Sequence, residues 1–276
     1  DIERWLPTVT TQRAQLIRKG EAYDSRPSAQ SDKPIPQIRF KSLLPIFNEV
    51  MRGGYRDGAL HIYAGITKHG KSTTLKTHIC DGVLQKQFCV LIITENTPQL
   101  AIAEIIHALS NLTMDEIASK RFVGTESETA EQRKGYYGEW LAYLDTYLRV
   151  FPWDWLNDSR LNQIARWYHP QVIAADYLHQ QPGLFSQKPT NTQDEMGLFA
   201  DFLLSFAKEE GICFLTAGQV ADAASQKLLK GDTSTPAILY GSARVGHASD
   251  TYTFLKRHPD KTNFAYFRVW LDRFTG

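Results

Sequence analysis

The chain has 276 residues, a net charge of +1 and an apolar share of 42%, enough length and core material for one large domain with at most a small appendage. That near-neutral balance excludes nucleic-acid binding through bulk charge, so any such contact has to come from local patches. No apolar run approaches the roughly 20 residues of a membrane-spanning helix and no secretory leader precedes the globular pattern, which argues against a membrane partner.

In chain order, residues 1–23 include Thr10 to Lys19, a short helix with too few apolar positions to hold itself down. Residues 24–38 carry Pro27, Pro34 and Pro36 among polar residues and read as a linker. Such a helix either docks on a neighbouring subunit or packs on its own domain, and the sequence leaves both open. From Phe40 the pattern becomes globular, so the expected division is a linker region over 1–39 and a main domain over 40–276. The start at Asp1 and the end at Arg273-Phe274-Thr275-Gly276 read as those of a piece of a longer protein.

Leu43 to Met51 is expected to be a short helix closed by Gly53-Gly54. Ala59 to Ala64 reads as a buried strand, and Thr74 to Cys80 as a helix. Between them lies Gly65-Ile66-Thr67-Lys68-His69-Gly70-Lys71-Ser72-Thr73, the G-x-x-x-x-G-K-[ST] pattern in its required setting of strand, glycine loop and helix. The glycines let backbone N–H groups converge on phosphate oxygens, and the helix N-terminus adds partial positive charge. Lys71 supplies a mobile charge for the β- and γ-phosphates and Ser72 a hydroxyl for Mg²⁺. This is a nucleotide-binding pattern.

Phe88 to Ile93 is a continuous apolar run, as expected of a strand buried on both faces of a parallel sheet, and it ends at Thr94-Glu95-Asn96. Pro98 to Leu109 reads as a helix, and residues 110–150 as helical, with Trp140, Leu141, Leu144 and Leu148 as a core stripe. Val172 to Ala175 is a second buried run, ending in Asp176. A polar stretch, Gln180 to Asp194, precedes a helix over about Glu195–Glu210. Ile212 to Ala217 is a third buried strand, ending near Gln219. Residues 221–241 read as a long mobile segment. Thr251 to Leu255 and Phe264 to Leu271 alternate like an antiparallel pair turning near Pro259-Asp260-Lys261. Cys80, Cys89 and Cys213 sit in apolar contexts without metal-ligand spacing, so buried free thiols in a reducing compartment are expected.

Strands alternating with helices predict an open α/β sheet with helices on both faces and a ligand crevice at the carboxyl ends of the strands. The phosphate loop, Glu95, Asp176 and Gln219 should therefore share that crevice. Phosphoryl transfer needs placement, charge compensation and a group that orients water. Asp176, after four apolar residues, fits the carboxylate that positions the Mg²⁺ shell, although a turn or helix-capping aspartate would look alike. Glu95 is placed to take a proton from water. Gln219 is placed to sense the γ-phosphate through its amide.

The ordered combination of Gly65–Thr73, Ile92-Ile93-Thr94-Glu95, Asp176-Tyr177-Leu178, Ala217-Gly218-Gln219, Gly241-Ser242-Ala243 and Ala248-Ser249-Asp250 resembles the hexameric replicative helicases. These are the DnaB-type enzymes and phage primase-helicases, with the mitochondrial replicative helicase as a relative. The terminal Leu271-Asp272-Arg273-Phe274-Thr275-Gly276 looks like the motif that carries the arginine finger of that family. The resemblance covers about residues 40–276 and implies a RecA-like P-loop NTPase fold, mostly parallel with an antiparallel C-terminal edge. It implies that the loop residues Gly65, Ile66, Thr67, Lys68, His69, Gly70, Lys71, Ser72 and Thr73 hold ATP or a dNTP. Ser72 and Asp176 would hold Mg²⁺, Glu95 would be the general base, and Gln219 would couple the γ-phosphate to a DNA-binding loop. Arg273 would reach a neighbour's γ-phosphate, and Arg257 matches an arginine near the nucleotide base.

The resemblance further implies a ring, a homo-hexamer on single-stranded DNA in the cytoplasm of a bacterial or phage-infected cell, with primase and polymerase as candidate partners. DNA contact falls to the 222–244 segment with Lys227, Lys230 and Arg244, a few phosphate contacts per subunit multiplied around the ring. The chain departs from the family at Leu271, where a lysine is usual two residues before the finger. Two rivals stand beside the helicase reading: a RecA- or clock-protein-like ATPase that does not unwind, and a regulatory module that binds nucleotide without turnover.

Overall fold

A computed structural model describes residues 37–51, 53–176, 192–220, 245, 248–257 and 265–272. Strands β1 (Ile38–Phe40) and β2 (Tyr55–Arg56) form a small antiparallel sheet around a helix, α1 (Pro45–Val50). The remaining strands are β3 (Leu60–Gly65), β4 (Cys89–Ile93), β5 (Leu148–Pro152), β6 (Val172–Asp176), β7 (Cys213–Gln219), β8 (Thr251–Arg257) and β9 (Ala265–Asp272). They make one sheet in the order β5-β4-β6-β7-β3-β8-β9. Every pairing is parallel except the last, where β9 runs against β8.

Among the described residues, six α-helices lie between the strands from β3 to β7: α2 (Lys71–Leu84), α3 (Pro98–Leu109), α4 (Met114–Ser119), α5 (Ala130–Tyr147), α6 (Asp158–Tyr168) and α7 (Thr192–Glu210). Their starts follow from local chemistry. The Thr97 hydroxyl accepts the Leu100 N–H ahead of Pro98 in the first turn of α3. Thr113 with Glu116, and Thr129 with Gln132, form reciprocal capping boxes for α4 and α5. Asn157 caps α6.

The apolar runs of the central strands are continuous because both faces of the sheet are covered. Leu60, Ile62 and Ala64 of β3 and Val90 and Ile92 of β4 face one core, shared with Leu161 and Ile164 of α6 and Phe199, Leu203 and Phe206 of α7. The alternate positions, Tyr63, Leu91 and Ile93, face a second core with Leu75 and Ile79 of α2, Ile105 and Ile106 of α3 and Leu144 of α5. The three cysteines are free and buried.

The expected helical stretch over 110–150 is corrected. It is two helices, and Leu148 opens the edge strand β5 rather than closing a stripe. Trp140 packs and Leu144 is buried, but Leu141 is exposed. The helix α6 and the strand pair β1–β2 carry no pattern that the sequence reading picked up. Among the described residues no helix is long and apolar enough to cross a membrane. The stretch 1–36, the segment around 221–241 and the turn near Pro259 lie outside the described residues.

Candidate functional site

The phosphate loop leaves β3 at Gly65 and enters α2 at Lys71. Gly70 takes φ 91° as the residue before the helix, a left-handed backbone that glycine adopts without a steric penalty, and a Cβ there would meet nothing within 4 Å. The mouth of the loop is open at that point. The Gly70 carbonyl accepts both the N–H and the hydroxyl of Thr74, each at 2.9 Å, which fixes the first helical turn. Lys71 folds back on the loop, its Nζ donating to the carbonyls of Gly65 and Ile66 at 3.0 Å each.

Sheet register decides what shares this end. Gly65 lies opposite Gln219 on one side and Leu255 on the other. Asp176 ends β6 opposite Ile93 of β4, so Glu95 leaves the sheet just beyond the strand beside Asp176. Two strands, β6 and β7, separate β4 from β3. The loop, Glu95, Asp176 and Gln219 thus stand at the carboxyl ends of their strands.

The electrostatics join them. Asp176 is 6% exposed, and burial pushes its carboxyl above the usual range; a hydrogen bond from Ser72 and the charges of Lys76 and Lys71 oppose that, while Glu95 adds to it. Burial likewise lowers the Lys71 ammonium, against the pull of Asp176 and Glu95. His69 is pushed below its ordinary value by burial first and then by Lys71, Lys256 and Arg257. Lys76 was not read from the sequence as part of the site. Its ion pair to Glu104 anchors it between α2 and α3 while its charge acts on Asp176. Its position five residues after Lys71, one helical turn and a half on, is a signal that could have pointed to it.

The residues fit a hydrated divalent cation on a triphosphate. Asp176 Oδ1 is buried without a hydrogen-bond partner among the described residues, and so is Thr94 Oγ1 at the end of β4. One carboxylate oxygen beside the Ser72 hydroxyl is the sparse oxygen donor set of Mg²⁺, which draws its other ligands from water and phosphate.

Arg257 ends β8 beside the loop, its backbone N–H donating to His69 Nδ1 at 3.1 Å. The opposite holds for the C-terminal end of β9. Asp272 pairs with Thr251, the first residue of β8, and Thr251 with His61 near the start of β3. Asp272 is therefore at the amino ends of the parallel strands, about 13 Å along the strand from the level of Gly65 and about 20 Å from that of Arg257, at about 3.3 Å per residue. Arg273, Lys227, Lys230 and Arg244 lie outside the described residues.

No protein-family model matches the chain, and no curated protein matches it. Among solved structures, one described as an ATPase domain superposes with a TM-score of 0.64 over 99% of this chain and 91% of its own, at 16% identity. At that identity the likeness speaks for fold. The RecA-like α/β architecture expected from the sequence is the one found.

Proposed function

We propose that this chain is the NTP-hydrolysing motor of a ring helicase that translocates on single-stranded DNA, its active sites shared between neighbouring subunits. The observation that carries the reading is the position of Asp272. The phosphate loop and its carboxylates stand at one end of the sheet, while the residue preceding Arg273 stands at the other, beyond side-chain reach. The position of Asp272 supports a role for the following Arg273 on a neighbour's nucleotide rather than on its own. The assignment of 1–39 as linker and 40–276 as motor, and of Lys227, Lys230 and Arg244 as DNA contacts, belongs to the same proposal.

In this reading the loop N–H groups and the α2 N-terminus hold the β- and γ-phosphates, and Lys71 leaves its two carbonyls to pair with them. Mg²⁺, when bound, supplies charge compensation on the phosphate oxygens, with Ser72 and Asp176 as its protein donors. Glu95, exposed to solvent at the strand end, accepts a proton from the attacking water. Gln219 passes the state of the γ-phosphate to a DNA-binding loop in this reading, which its register opposite Gly65 supports. Arg273 of one subunit offsets charge developing on the neighbour's γ-phosphate.

The test mixes two inactive variants. Arg273→Ala keeps an intact phosphate loop, and Lys71→Ala keeps an intact finger. Recovered hydrolysis in the mixture supports a shared site, whereas an Arg273→Ala protein that is fully active alone ends the reading. A second reading is favoured by Leu271, which removes a family lysine and with it a charge on the shared nucleotide: an ATPase that assembles on DNA without unwinding. Hydrolysis stimulated by DNA, with no strand displacement on a forked duplex, would select it.

A further inference from the structure

Both ends of the phosphate loop rest on the last residues of one strand. The Arg257 N–H donates to His69 Nδ1 at 3.1 Å, and Gly65 lies so near Leu255 that a Cβ would stand 3.0 Å from the Leu255 carbonyl oxygen. Accepting that N–H requires an unprotonated Nδ1, and burial first, then the surrounding Lys71, Lys256 and Arg257, favour the neutral ring. From Arg257 to Thr251 the strand β8 is paired with β9, from Ala265 to Asp272, and among the described residues β9 has no strand on its far side.

The geometry points to His69 as a positioning residue that joins the phosphate loop to the β8–β9 pair. Through that joint, a change in the loop on nucleotide binding reaches Asp272 and the finger residue next to it. The loop has two arrangements to switch between. In one, Lys71 holds the Gly65 and Ile66 carbonyls, as here. In the other, phosphate takes Lys71 and releases them. β8 is also paired with β3 from Thr251 to Leu255, and the β8–β9 register is irregular between Tyr252 and Thr253. In this inference movement at Arg257 therefore reaches Asp272 along a ladder that is held on one side and interrupted once. The inference rests on the proposed role of Arg273 for its consequence in a ring, but the joint itself is local to this chain.

Hydrogen–deuterium exchange decides it, with Mg²⁺ and a slowly hydrolysed ATP analogue at concentrations that saturate each variant, judged by protection of the loop amides. In the unmodified protein, nucleotide is expected to protect 251–257 and 265–272 as well as the loop. His69→Asn, whose Oδ1 can accept the same N–H, keeps that response. His69→Ala protects the loop and α2 only. If His69→Ala binds too weakly to saturate, Arg257→Pro removes the donor instead and is read in the same way. Unchanged protection of the strand pair in His69→Ala, or no response of the pair in the unmodified protein, overturns the joint.

A mixture experiment then follows the consequence between subunits. Glu95→Gln subunits lend their finger to Arg273→Ala subunits. Adding His69→Ala to the lender should lower the recovered hydrolysis by at least roughly fivefold, the small end of measured couplings between sites. No loss overturns the consequence. No recovery even with His69 intact overturns instead the shared-site reading of Arg273, and the exchange result still decides the joint.

Discussion

Asp176 ends β6 and Glu95 lies two residues beyond the end of neighbouring β4, and the surroundings of the two carboxylates differ in the way the proposed division of roles requires. Asp176 is buried, hydrogen-bonded to Ser72 and acted on by Lys76 and Lys71, which suits a group that shapes a cation shell. Glu95 is exposed, which suits a group that must meet water. Glu95→Gln should therefore leave nucleotide affinity nearly unchanged and lower turnover by about 10²–10⁴-fold, the usual worth of a positioned base. Equilibrium binding of a fluorescent nucleotide beside single-turnover hydrolysis checks this, and a parallel loss of affinity would remove Glu95 from that role. Asp176→Asn should instead raise the Mg²⁺ concentration needed for half-maximal hydrolysis, read from a metal titration.

At the scale of elements, the helix after the loop is held from behind by a buried polar cluster. His78 Nε2 of α2 meets the Tyr55 hydroxyl at 2.8 Å, and Tyr55 in turn bonds the Tyr63 hydroxyl of β3. Asp81 accepts the Ser42 hydroxyl at 2.8 Å and the Leu43 N–H at 3.2 Å. This cluster binds α2 to the β1–β2 segment as well as to the central sheet, so the orientation of the phosphate loop depends on residues far from it in sequence. Tyr55→Phe strips partners from two fully buried atoms at once and should cost about 2 kcal/mol of stability, measured by denaturant unfolding. An unchanged midpoint would show that the cluster is slack.

The same elements set the response to acid. Burial, with smaller effects of His78 and Arg56, lowers the His61 pKa from 6.5 to about 3. The unfolded chain thus takes up a proton that the folded chain refuses, and stability falls as pH drops from about 6.5 toward 3. Glu116 acts in the same direction lower down. Its hydrogen bonds with Arg133, which also pairs with Glu128, bring it from 4.5 to about 2, so the stabilisation it lends is present above pH 4.5 and is lost as pH falls toward 2. His61→Gln should flatten the upper part of that decline, and Arg133→Met should weaken the tie between α4 and α5 by roughly 3 kcal/mol because Glu116 is left without its cation. Thermal unfolding against pH separates the two windows.

For the whole molecule, the separation of the loop from Asp272 sets the expectation that one chain cannot complete its own site. Specific hydrolysis per chain should rise with protein concentration as subunits associate, and Arg273→Ala should reduce the plateau by about 10³-fold or more, the known scale for arginine fingers. Turnover that is independent of concentration down to the monomer would remove the shared site. Most of this architecture is legible in the sequence because the parallel strands are apolar throughout: β4, β6 and β7 announce themselves as unbroken runs, and the polar residues that end them mark the crevice. The edge strand β5 was not legible. Leu148 to Pro152 mixes an arginine and a proline into a half-exposed run that continues the spacing of α5, and only pairing with β4 makes it a strand. The loop was thus identifiable from its glycine and lysine spacing, since a phosphate cradle needs a local backbone shape that a few adjacent residues encode. The apolar runs located Glu95 and Asp176 at strand ends, whereas the general-base role proposed for Glu95 comes from the resemblance. That His69 holds Arg257, that Lys76 acts on Asp176 and that β9 ends at the opposite end of the sheet were decided only by the tertiary structure. Those relations join residues distant in the chain through strand register, and register is set by how the whole core packs.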